Sequence, residues 1–171
     1  LVAGNGMAGA RFVEEVVTRA GGERFEIAVF GDEPYGNYNR VLLSSVLAGD
    51  YAPGDIFLNP LDWYRANGIT LHAGTRVRSL DVATQQVHAS DGSVHRYDEL
   101  VIATGSSALI PPIHGVFDGA GRLSPGVFLF RTLDDCHRIL DRAKTCRTAA
   151  VIGGGLLGLE AAKGLASRGL D

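Results

Sequence analysis

Two glycine fingerprints of one kind lie 149 residues apart in this chain: Gly4-Asn5-Gly6-Met7-Ala8-Gly9 and Gly153-Gly154-Gly155-Leu156-Leu157-Gly158. Each follows a short apolar run and opens a helix-like pattern. In a strand–turn–helix of this spacing the first Gly makes the tight bend. The second lets backbone approach a pyrophosphate, and the third lets the helix pack on the strand. The phosphates then sit at a helix N-terminus, where unpaired N–H groups and the helix dipole favour negative charge. One such hexapeptide is a weak signal. Two, separated by a domain-sized interval, imply a chain built to hold two dinucleotides and to move electrons between them.

The flanking pattern supports this reading for the first copy. Residues 1–3 read as the end of a buried strand, with the strand's true start missing. Residues 10–20 carry Phe12, Val13, Val16, Val17 and Ala20 at helical spacing, and Gly21-Gly22 ends the helix. Residues 25–30 form the next strand, followed by Asp32 and Glu33. Glu33 lies 24 residues after Gly9, near the roughly 20-residue offset at which an acid grips ribose hydroxyls. Asp32 is the alternative, and a solvated turn before Pro34 is the competing explanation.

Further along, residues 61–66 read as a short helix and 69–73 as a strand. Residues 76–82, 85–89 and 94–97 read as an antiparallel meander, with Asp91-Gly92 at its last turn. Residues 100–103 form a buried strand that ends in Thr104-Gly105. Ligands in open α/β sheets lie outside such carboxyl ends, so Ala103, Thr104 and Gly105 join the candidate site. A helix over 133–144 and a strand over 149–152 lead into the second fingerprint. The helix after Gly158 has apolar Leu159, Ala162, Leu165 and Ala166. That face is expected to dock on the domain built around the first fingerprint, pair with another chain or be mobile. Only thirteen residues follow Gly158, too few to reach the residue that separates NADH from NADPH.

Composition narrows the class. A net charge of −3 gives no electrostatic case for nucleic acid or an anionic membrane, and no stretch reaches the roughly 20 apolar residues of a membrane span. Cys136 and Cys146 lack zinc or C-x-x-C spacing, and both read as structural in a reducing, cytoplasmic setting. No metal site is expected: His72, His88, His95, His114 and His137 show no ligand spacing, and Trp63 and Tyr64 read as packing.

The ordered trio of residues 2–9, 100–106 and 151–160 resembles the FAD-dependent pyridine-nucleotide oxidoreductases, over the whole chain. The resemblance implies FAD on the first fingerprint and the Ala-Thr-Gly strand end. It implies NAD(P)H on the second fingerprint, at Gly153, Gly155, Leu156, Leu157 and Gly158. It also places Val77 at the adenine, through backbone. Glu160 falls near the nicotinamide side or is an exposed helix glutamate. Within the family, Tyr38-Asn39-Arg40-Val41-Leu42-Leu43-Ser44-Ser45 resembles the large subunits of NAD(P)H-dependent assimilatory nitrite reductases. Arg40 would then lie near the FAD phosphates and Ser44 near the flavin, against the alternative of a surface arginine in a polar loop.

The disulfide reductases of the superfamily carry a cysteine pair soon after the ribose acid, whereas here no cysteine precedes Cys136. Electrons would leave the flavin for a redox partner domain or protein. The resemblance sets sirohaem and an iron–sulfur cluster outside this chain and leaves a homodimer open.

The expected fold is α/β: a Rossmann-like FAD-binding domain, with a parallel sheet and a small antiparallel meander, then the start of a second Rossmann-like NAD(P)-binding domain. The expected division is 1–112 (FAD domain without its returning segment), 113–147 (connector with a helix) and 148–171 (truncated NAD(P) domain). The expected function is electron entry from NAD(P)H toward nitrite reduction to ammonium. Alternatives are a stand-alone ferredoxin or rubredoxin reductase, and a flavin-binding regulatory or structural protein.

Overall fold

The computed structural model describes residues 1–20 and 24–171, so the Gly21-Gly22 helix stop lies outside the described residues. The chain forms two compact units: Leu1–Tyr38 with Phe57–Ser106, and Asn39–Ile56 with Ser107–Asp171.

The first unit is built on a four-stranded sheet of β1 (Val2–Ala3), β2 (Ala28–Gly31), β5 (Thr70–Ala73) and β9 (Val101–Ile102), in the order β5-β2-β1-β9. Every pair is parallel: Val2 lies opposite Val29 on one side and Val101 on the other. Between the sheet strands the chain makes helices α1 (Met7–Ala20) and α3 (Leu61–Ala66), a small pair β3 (Asn37–Tyr38) with β4 (Phe57–Asn59), and the antiparallel meander β6 (Val77–Asp81), β7 (Gln86–Ala89) and β8 (Val94–Arg96).

The alternation of strand side chains explains the layering. Val2, Val29 and Val101 share a core with Val13, Val16 and Val17 of α1 and Tyr64 of α3. On the opposite face Leu1, Ala28, Phe30 and Leu100 pack against Val77, Val87 and Ala89 of the meander. Thus helices cover one side of the sheet and the meander covers the other.

Several boundaries differ from the sequence reading. Helix α1 begins at Met7, before residue 10, because the glycine turn feeds straight into it and Ala10 N–H donates to Gly6 O at 2.9 Å. Strand β2 is confined to Ala28–Gly31, and Phe25 is exposed. The strand expected to be buried over 100–103 is the sheet edge, where Ile102 is 64% exposed.

The second unit contains α2 (Leu43–Ala48), preceded by a 3-10 turn at Arg40–Leu42, then α4 (Leu133–Ala143) and α5 (Leu156–Ser167). Thr132 and Asp135 form a reciprocal cap on α4: Asp135 N–H donates to the Thr132 hydroxyl at 3.0 Å, and Thr132 N–H donates to the Asp135 carboxylate at 2.9 Å. The segment expected as a strand, 149–152, is not one among the described residues. Its flank is bonded instead to Asp171: Ala149 N–H donates to Asp171 O, and Asp171 N–H to Arg147 O.

Helix α5 docks on α2 through a face the apolar count did not single out. Ala161 and Gly164 are buried, while Leu159 is exposed. A Cβ at Gly164 would lie 3.2 Å from the main-chain nitrogen of Ala48. Small residues here let two backbones approach. Arg168, just past α5, donates to the carbonyls of Leu47 at 2.8 Å and Val46 at 3.1 Å, satisfying acceptors at the end of α2.

Candidate functional site

In the first unit, parallel pairing brings three strand ends together. Gly4 follows β1, Asp32 and Glu33 follow β2, and Ala103-Thr104-Gly105 follow β9. Gly4 N–H donates to Phe30 O at 2.9 Å, and Ala103 N–H to Ala3 O at 2.8 Å.

Gly4 has φ +118°, and a Cβ there would sit 2.1 Å from Ala103 O. Any side chain would therefore drive the turn into the end of β9. A Cβ at Gly9 would lie 2.0 Å from Gly4 O, so helix and turn touch backbone to backbone. Around Gly6, by contrast, a Cβ would meet nothing within 4 Å. The three glycines thus do different things: two permit close internal packing, and the middle one faces open space. Met7 and Ala8 are exposed in the first turn of α1.

Glu33 accepts a hydrogen bond from the Tyr38 hydroxyl at 2.6 Å. Asp32 is more exposed and faces Arg76 at 3.6 Å. The main-chain N–H of Arg76 donates to Ser90 Oγ at 3.0 Å. Val77, the next residue, is half-buried against Phe30 and the meander. Thr75 N–H donates to Gly31 O and Gly74 N–H to Glu33 O, which binds this loop to the end of β2.

Beneath the turn lies a polar network that the sequence reading missed. The Tyr64 hydroxyl donates to Asn5 Oδ1 at 2.6 Å. Tyr64 is 1% exposed, and burial pushes its hydroxyl pKa up to about 12. The one legible signal was a tyrosine on the apolar face of a short helix, since a buried tyrosine hydroxyl needs a partner. On the meander side, His72 stacks on Phe30 at 4.3 Å and 9°, with His95 edge-on to both. Burial lowers the His72 pKa.

In the second unit Arg40 Nη1 donates to Arg131 O at 2.8 Å, and Ser44 is half-buried on α2. The second fingerprint repeats the geometry of the first. Gly153 has φ +128°, and a Cβ at Gly158 would lie 1.9 Å from Gly153 O. Leu159 N–H donates to Gly155 O at 3.0 Å, as Ala10 does to Gly6. Leu156 and Leu157 are exposed, and Glu160 is half-buried on α5. Cys136 is buried beside α2, its thiol donating to Leu43 O at 3.9 Å; burial pushes its pKa up to about 11. Among the described residues no three side chains could hold a metal ion, and no helix is long and apolar enough to cross a membrane.

A parallel sheet with a glycine turn at its crossover and an acid at the next strand end defines a dinucleotide-binding protein. A repeated turn of the same shape narrows the class to proteins with two such sites. The family described as pyridine nucleotide-disulphide oxidoreductase matches residues 1–171, and the chain belongs to it. It is 48% identical to an assimilatory nitrate reductase electron transfer subunit of Bacillus subtilis (strain 168), across 100% of this chain and 21% of that protein. It is 46% identical to a nitrite reductase [NAD(P)H] of the same organism, across 100% of this chain and 20% of that protein. The solved putidaredoxin reductase–putidaredoxin complex superposes with a TM-score of 0.85 at 32% identity, across 99% of this chain and 40% of that one. The chain therefore spans about a fifth of the length of these curated relatives.

Proposed function

We propose that this chain is the electron-entry part of a flavoprotein, holding FAD on the first glycine turn and receiving NAD(P)H at the second. The carrying observation is the open space at Gly6 between two tightly packed glycines, with Glu33 and the end of β9 on either side. That is the shape a pyrophosphate needs, and the residues present fit the group. Gly6, Met7, Ala8 and Gly9 would receive the phosphates at the N-terminus of α1, where main-chain donors and the dipole favour anions. Glu33, held by Tyr38, would accept from the ribose hydroxyls, and Thr104-Gly105 would let the cofactor lie against backbone. Val77 would line the adenine. Bound FAD would supply the chemistry of taking a hydride and releasing single electrons.

By the family resemblance alone, Arg40 and Ser44 are also assigned to FAD. Gly153, Gly155, Leu156, Leu157 and Gly158 would receive NAD(P)H, with Glu160 on its nicotinamide side. The division 1–112, 113–147 and 148–171 is proposed on this basis. The nitrate- and nitrite-reductase names of the two Bacillus subtilis relatives support a role in nitrite reduction, and the resemblance read from residues 38–45 extends the proposal to ammonium as product, to sirohaem and an iron–sulfur cluster outside this chain, and to a cytoplasmic setting. A homodimer and transfer to a separate redox partner belong to the same proposal. The putidaredoxin reductase likeness favours, as second reading, a stand-alone reductase of a small electron carrier.

The test is direct. Cofactor released by heat from the natural full-length protein should run as FAD on chromatography, and NADH or NADPH should bleach its visible absorption in stopped flow. Absence of an adenine dinucleotide flavin would refute the proposal. Nitrite-dependent turnover would separate the first reading from the second.

A further inference from the structure

Three glycines in six residues make a flexible loop, since glycine loses the most conformational freedom on ordering. A Cβ at Gly6 would meet nothing within 4 Å among the described residues. Besides the Gly4 N–H bond to Phe30 O and the backbone packing of Gly4 and Gly9, the loop's order comes from below, through Asn5. The Asn5 side chain accepts from the Tyr64 hydroxyl at 2.6 Å and donates through Nδ2 to Tyr35 O at 3.3 Å. Its Cβ lies against the end of β2, only 2.9 Å from where a side chain at Gly31 would start. Its own main-chain oxygen accepts from Asn37 Nδ2 at 3.1 Å. Asn37 and Tyr64 are both buried.

The last bond has a specific consequence. Asn5 C=O and Gly6 N–H belong to one planar trans peptide unit and point in opposite directions. Holding the oxygen on Asn37 therefore fixes the Gly6 N–H on the side away from Asn37. We infer that Asn37 and Tyr64, acting through Asn5, are positioning residues that set the direction of the Gly6 N–H for a phosphate ligand. This rests on the reading of the Gly4–Gly9 turn as a pyrophosphate site. Neither residue touches the ligand. Each removes freedom that binding would otherwise have to remove, so affinity depends on them through preorganisation.

The experiment uses the natural full-length protein, with its flavin reversibly removed, and the variants Asn37→Ala and Tyr64→Phe. FAD binding is followed by flavin fluorescence, and ADP and adenosine serve as competitors with and without the pyrophosphate. Affinity for FAD and ADP should weaken roughly tenfold in each variant, the scale of one lost hydrogen bond, while adenosine binds as in wild type. Unchanged FAD and ADP affinities overturn the inference. So does equal weakening of adenosine, which marks general structural damage. If Asn37→Ala fails to fold, Tyr64→Phe decides, since the ring keeps its place in the core. A wild-type protein that binds neither FAD nor ADP overturns the underlying reading and this inference with it, an outcome visible before any variant is made.

Discussion

The main-chain oxygen of Gly4 occupies the place where a side chain at Gly9 would begin, 2.0 Å from the Cβ position. Gly153 and Gly158 stand in the same relation at 1.9 Å. Both contacts are backbone against backbone, so neither can be relieved by turning a flexible side chain.

Gly9→Ala should therefore push α1 off the turn. Overpacking of this kind costs about 1–3 kcal/mol. The expected result is a lowered unfolding midpoint together with flavin loss, read from thermal melts and the ratio of flavin to protein absorbance. Gly158→Ala should retain the flavin and slow its reduction by NAD(P)H in stopped flow. If both variants lose flavin equally, the division of labour between the turns is wrong.

Gly6→Val separates binding from folding. A Cβ at this position meets nothing within 4 Å, so stability should stay within about 0.5 kcal/mol of wild type. The branched side chain would fill the space assigned to phosphate. A colourless but normally stable protein is expected. A fully yellow Gly6→Val preparation would contradict the phosphate assignment.

The His72 ring makes stability depend on pH. Burial is the main cause of its lowered pKa, followed by His95, with Asp91 opposing. The folded form thus binds this proton less tightly than the unfolded chain, whose value is about 6.5. The stabilisation is fully present above that value and is lost as pH falls through the lower folded-state pKa. Urea midpoints should decline with acidification across this window. His72→Phe, which can keep the stack on Phe30, should flatten the decline. An unaltered slope would show that other groups set it.

Gly164 controls how closely α5 lies on α2, with Ala48 N and Leu47 Cγ each 3.2 Å from its Cβ position. Gly164→Leu should lift α5 and break the Arg168 contacts to the Leu47 and Val46 carbonyls. Amide exchange in α5 should then accelerate by more than about tenfold, as expected when a docked element opens locally. Exchange at the wild-type rate would mean that α5 is held elsewhere.

Much of this was legible in the residues. Residues 61–66 were expected as a helix and are one, and the glycine turn was placed because its spacing reports a local geometry. Other features depend on partners distant in sequence. Residues 149–152 have the apolarity of a strand, but a strand exists only when another pairs with it, and apolarity does not report pairing. Likewise 100–103 read as buried because alternation and hydrophobicity do not distinguish a sheet edge from its centre. The face of α5 was misjudged because counting apolar bulk favours Leu159 and Ala162, whereas close helix contact selects the smallest side chains, Ala161 and Gly164. The Asn5–Tyr64 bond joins residues 59 apart, and nothing local announces it.

The two turns keep one shape although their surroundings differ. A Cβ at Gly4 would strike Ala103 at the end of β9, whereas at Gly153 it would meet nothing within 4 Å. The hexapeptide and the helix it opens thus carry the shape common to both turns, while Asn37 and Tyr64 brace the first from outside; in the proposed reading that common shape would serve as a generic receptor for a diphosphate. A receptor that is generic cannot choose between nucleotides. In the proposed reading, selectivity would be written outside the hexapeptide, and for the first turn the strand-end acids Asp32 and Glu33 would be the positions for an engineer to change.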